Sequence, residues 1–157
     1  VTNNDILRRL RYTFDFNDAK MIDIFKQADH EVTREQISNW LKKDDDEAYV
    51  SCGDTSFSIF LNGLIIDRRG KQDRPTPEPD KKITNNIVLR KLKIAFDMKN
   101  EDVLALLSNN GVSISKHELS AFFRRTDHKH YRPCKDQVLR NFLQGLQNKY
   151  RPSSAKN

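Results

Sequence analysis

The chain is 157 residues long, 36% hydrophobic and 32% charged, with five glycines and five prolines; this composition excludes collagen-like, low-complexity and disordered classes and describes a regular globular protein. Its net charge of +6 is uneven, because residues 1–70 carry 10 Lys+Arg against 13 Asp+Glu and residues 71–157 carry 18 against 9, leaving the halves at −3 and +9. No apolar run nears the roughly 18 residues of a membrane-spanning helix, and Val1-Thr2-Asn3-Asn4-Asp5 is not a basic leader, so a cytoplasmic protein with no membrane partner is expected.

An internal repeat organises the chain. Thr2-Asn3-Asn4 returns as Thr84-Asn85-Asn86, and the same offset of 82 residues then holds without a gap, giving Leu7/Leu89, Phe14/Phe96, Tyr49/Tyr131, Cys52/Cys134, Asp54/Asp136 and Gly63/Gly145. The expectation is an all-α fold, a tandem duplication of a four-helix repeat packed into a bundle-like protein. Residues 2–69 form the first copy, 70–83 a proline-rich linker, 84–150 the second copy and 151–157 a polar tail.

In chain order, the first helix of each copy is expected to follow an Asn cap, Asn4 or Asn86, and to bury Ile6, Leu7, Leu10 and Phe14 or Val88, Leu89, Leu92 and Phe96. The second starts near Asn17-Asp18 and Asn100-Glu101, with Met21, Ile22, Ile24 and Phe25 matched by Val103, Leu104, Leu106 and Leu107. Gly111 suits a left-handed cap at its end, where the first copy has Asp29. The third carries the capping boxes Thr33-x-x-Gln36 and Ser115-x-x-Glu118, with Val32 and Ile114 ahead of them as staples. Its buried stripe is Ile37, Trp40 and Leu41, or Leu119, Phe122 and Phe123.

The fourth helix is expected to begin at Asp54 and Asp136 as caps and to present Phe57, Phe60, Leu61 and Leu64 against Leu139, Phe142, Leu143 and Leu146. Gly63 and Gly145 fall mid-helix, where glycine costs about 1 kcal/mol relative to alanine, which points to a close helix crossing. Between the copies, residues 72–80 have three alternating prolines and no apolar residue, an extended and stiff stretch. The tail is expected to fray.

Thr-Asn-Asn-x-x-Leu-Arg in both copies, Phe60-Leu61-Asn62-Gly63-Leu64, and Asp127-His128-Lys129-His130-Tyr131 ahead of Cys134-Lys135-Asp136 together resemble the bacterial YehS family, a domain of unknown function. The resemblance runs from Thr2 to Tyr150. It implies a two-copy helical fold in a bacterial cytosol, with Val1 at the family's initiator position, and brings neither an activity nor catalytic residues.

Positions identical in both copies point to shared folding needs. Cys52 and Cys134 are accordingly expected as small buried free thiols, Asp54 and Asp136 as helix caps, and Tyr49 and Tyr131 as packing residues; the functional alternative is a thiol activated by the helix N-terminus. Where the copies diverge, Lys42-Lys43-Asp44-Asp45-Asp46-Glu47 becomes Arg124-Arg125-Thr126-Asp127-His128-Lys129-His130, an acidic loop against a basic one. Asp127, His128 and His130 supply only part of a metal shell, His30 and His117 have no spacing that completes it, and the acidic loop lacks the alternating ligands and central glycine of a calcium loop. No phosphate-binding loop, nucleophile elbow, zinc-protease or C-x-x-C motif occurs. No catalytic residue, cofactor, metal or small-molecule substrate is therefore assigned.

The second and third helices of each copy, 20–43 and 102–125, overlap the outline of a helix-turn-helix. In that geometry Lys116, His117 and Ser120 would face bases, and Arg124, Arg125 and Lys129 would face phosphates; a helical bundle contains such pairs without binding anything. The sequence thus leaves two expectations. One is a non-enzymatic nucleic-acid-associated protein, or a binder of another polyanion, acting through the basic second copy. The other is a protein-interaction or self-associating module using acidic and basic halves.

Overall fold

The computed structural model describes residues 1–73 and 75–151, and within them the chain forms eight helices and no strand. It divides into two compact units, Val1–Ile83 and Thr84–Asn157. The polar tail beyond Arg151 and linker residue Arg74 lie outside the described residues.

The first unit consists of α1 (Asn3–Phe14), α2 (Asp18–Gln27), α3 (Arg34–Leu41) and α4 (Asp54–Arg69). Helix α4 packs along α2, and α1 and α2 both pack on α3. The expected stripes are what they bury: Leu7, Leu10, Met21, Ile24, Phe25, Ile37, Phe57, Phe60 and Leu64 are all fully enclosed. Phe25 sits at the centre, its ring 5.6 Å from Trp40 and 5.4 Å from Phe60, separations at which aromatic pairs add attraction beyond burial. Ile22, Leu41 and Phe14 lie at the rim and remain half-buried.

The second unit repeats the plan with α5 (Asn85–Ala95), α6 (Asn100–Asn109), α7 (Lys116–Phe122) and α8 (Asp136–Tyr150). Leu107 takes the place of Phe25, and α8 packs on α6 as α4 does on α2. The mid-helix glycines mark these crossings. A Cβ on Gly63 would collide with the Ile24 carbonyl oxygen, and one on Gly145 with the Leu106 side chain. Gly111 and Asp29 occupy the same left-handed turn after the second helix, at φ 86° and 59°. The capping boxes of α3 and α7 form as expected.

Two expectations about helix starts are corrected. The cap of α1 is Thr2, whose side chain accepts from the Asp5 N–H, and that of α5 is Thr84, which accepts from Ile87. Asn4 and Asn86 instead stand inside the helix, buried, with their amides engaged elsewhere. Helices α4 and α8 are preceded by Gly53 and Lys135, so Asp54 and Asp136 are the first helical residues, not the caps. After α4 the chain turns back along it: Ser58 donates to the Asp80 carboxylate at 2.8 Å, and the Ile83 N–H donates to Asp54 at 2.9 Å.

Candidate functional site

The displaced asparagines build the support of the most chemically distinctive surface. Asn4 donates through Nδ2 to the carbonyls of Trp40 (3.0 Å) and Val50 (2.8 Å), and its Oδ1 accepts from the Cys52 N–H at 2.9 Å. In the second unit Asn86 makes the same three bonds, to Phe122 O at 3.0 Å, Arg132 O at 2.8 Å and from Cys134 N at 2.9 Å. One buried amide thus joins the end of the third helix to the last residues of the loop that precedes the fourth. Asn3 and Asn85 complete the anchor by donating to Cys52 O and Asp54, or to Cys134 O and Asp136.

Between these anchors the two loops take the same turns. Asp46 N–H donates to Lys43 O and Tyr49 N–H to Asp46 O; in the second copy His128 donates to Arg125 O and Tyr131 to His128 O. Val50 and Arg132 N–H groups donate back to Asn39 O and Ala121 O. The backbone is matched while the charges are not. Residues 42–53 carry two Lys against four acids, whereas residues 124–135 carry five Lys+Arg against Asp127 alone, with two histidines added. Lys129, His130 and Arg132 stand where the first copy has Glu47, Ala48 and Val50.

A groove of about 640 Å³ opens between α7 and this basic loop. Helix α7 and the residue after next contribute His117, Glu118, Ala121 and Arg124. The facing loop contributes Lys129, His130, Tyr131 and Arg132, followed by Pro133. Arg124 is half-buried, with its guanidinium 3.5 Å from the His130 carbonyl, while Lys129, His130 and Arg132 are exposed. Of the residues singled out in the sequence, His117, Arg124 and Lys129 come together here. Lys116, Ser120 and Arg125 do not line the groove; Arg125 lies 86% exposed and paired with Asp127 at 3.1 Å. Glu118, His130, Tyr131 and Arg132 join the site without having been singled out for it. A helical count from His117 through Ala121 to Arg124 marks the α7 side of the groove.

The other candidates separate from this surface. Cys52 and Cys134 are buried and not disulfide-bonded. Burial, reinforced by the neighbouring Asp54 and Asp136 carboxylates, pushes both thiols up to about 12. An activated thiolate requires the opposite shift, so the sulfur at each helix start is a packing group, as their identity in both copies implies. His128 and His130 have ring centroids 5.6 Å apart, and His128 Nδ1 accepts the His130 N–H. Among the described residues no group of three His, Cys, Asp or Glu side chains converges on a metal position. Nor is any helix there long and apolar enough to cross a membrane.

The family described as "Protein of unknown function (DUF1456)" matches residues 3–70 and again residues 85–151. The uncharacterized protein YehS of Escherichia coli (strain K12) is 46% identical over 147 residues, which cover 93% of this chain and 94% of that protein. No solved structure matches the chain. One matched segment falls within each of the two asparagine-anchored units, and the chain belongs to the DUF1456 family as a tandem pair of its domain.

Proposed function

We propose that the protein is a non-enzymatic binding protein that contacts nucleic acid through the groove of its second repeat. One observation carries this reading: a single backbone scaffold bears an acidic loop in one copy and a basic loop in the other. Because the first copy holds the same turns with Glu47, Ala48 and Val50, folding does not require Lys129, His130 or Arg132 at those places. The charges of Lys129 and Arg132 and the ring of His130 are available for a partner. Lys and Arg gathered along a concave surface attract phosphates and release the counterions condensed on them.

The test is fluorescence anisotropy with mixed-sequence DNA and RNA across a salt series. Binding that weakens steeply with salt supports the proposal. Absence of binding at low salt refutes it.

A second reading, self-association, draws on the exposed acidic run Asp44 to Glu47, which complements the groove of another copy. Such a contact closes a two-fold dimer where it is reciprocal and forms rings or filaments where it is head-to-tail. Sedimentation velocity without nucleic acid, at low and high salt, separates the two readings, since self-association predicts larger species that dissociate as salt rises.

A further inference from the structure

Resting on the nucleic-acid reading, we infer that the groove takes a single strand with unstacked bases, and not a duplex read by α7 as a recognition helix. The surface has the wrong curvature for the second task. Duplex base edges lie at the floor of a major groove about 8.5 Å deep, which a protruding helix must enter. Here the open side of α7 is one wall of a concavity, with Lys129 to Pro133 rising opposite it. Helix α7 is also only seven residues long, and Leu119, Ala121 and Phe122 are buried. Its exposed residues are confined to the first turn, Lys116, His117 and Glu118.

The lining instead has the two components that hold single strands. Arg124, Lys129 and Arg132 supply cations for phosphates, and His117, His130 and Tyr131 supply planar rings on which bases stack. Glu118 adds a carboxylate that can accept from an exocyclic amine of a base. The groove, about 640 Å³, has room for extruded bases.

The experiment uses the full chain and three labelled probes of equal length: a mixed-sequence single strand, its duplex, and the same single strand with its central bases removed to leave abasic sugars. The inference predicts at least about tenfold tighter binding of the single strand than of the duplex, and a loss of about tenfold or more with the abasic probe. Replacing His130→Ala, which restores the first copy's residue, should weaken single-strand binding several-fold with little change in salt slope. Equal affinity for single strand and duplex, or indifference to the missing bases, overturns the inference while leaving the phosphate-binding reading standing. Binding to none of the probes at low salt removes both.

Discussion

Asn4 and Asn86 each satisfy two carbonyls and one N–H that the fold has taken out of water, all within 3.0 Å. An unpaired buried polar group costs about 1–3 kcal/mol, so Asn86→Ala should lower stability by about 3 kcal/mol in urea unfolding. Asn86→Asp should do nearly the same, since a carboxylate cannot donate to the Phe122 and Arg132 carbonyls. A cost below about 1 kcal/mol would mean that the loop holds itself in place. The thiols give a second test at this scale. With the pKa raised from about 9 to about 12, the thiolate fraction at pH 8 falls by about three orders of magnitude. Iodoacetamide should therefore alkylate Cys52 and Cys134 at least a hundredfold more slowly in native than in urea-unfolded protein, on the order of the thiolate loss. The sign for stability follows: the contribution of the neutral buried thiols is intact below pH 9 and is lost as pH rises toward 12.

Most of the elements were legible because their signals are local. Heptad-like stripes, the Thr33 and Ser115 boxes and the left-handed position shared by Gly111 and Asp29 are each decided within a few residues, and the structure reproduces them. The asparagine caps were misplaced for the same reason. A sequence rule sees an Asn before an apolar run and assigns a cap, whereas the bonds that claim Asn4 and Asn86 come from residues 36 to 48 positions away. Asp54 and Asp136 were displaced by a single residue, a difference within the ordinary fraying of a helix boundary. The mid-helix glycines permit a quantitative comparison. A Cβ at Gly63 meets backbone, the Ile24 carbonyl, while one at Gly145 first meets the rotatable Leu106 side chain, with its carbonyl oxygen 3.3 Å away. Gly63→Ala should cost about 3 kcal/mol and Gly145→Ala about 1 kcal/mol, as overpacking does where relaxation is respectively blocked and available. Equal costs in thermal unfolding would show that both crossings adjust alike.

For the whole molecule, duplication turned one copy into a control for the other. The asymmetry of −3 and +9 and the divergence of the two loops were visible in the sequence, as was membership of a two-copy helical family. The site itself was only half visible. Arg132 lies eight residues beyond Arg124 and reaches the groove through the Ala121 hydrogen bond, and Tyr131, shared by both copies, reads in sequence as a packing residue. Conversely, Lys116 and Arg125 have the right charge but flank the concavity, a distinction that depends on the fold and not on composition. On the proposed reading, the basic loop is a binding surface on a scaffold that folds without it. The most direct test of that reading is the salt series repeated on Lys129→Glu, His130→Ala and Arg132→Val combined, which writes the first copy's residues into the second. The expected result is an unchanged circular dichroism spectrum, binding weakened by at least about tenfold, and a log K against log salt slope shallower by roughly 1.5 for the two cations removed. Wild-type affinity and slope in the triple variant would contradict the reading.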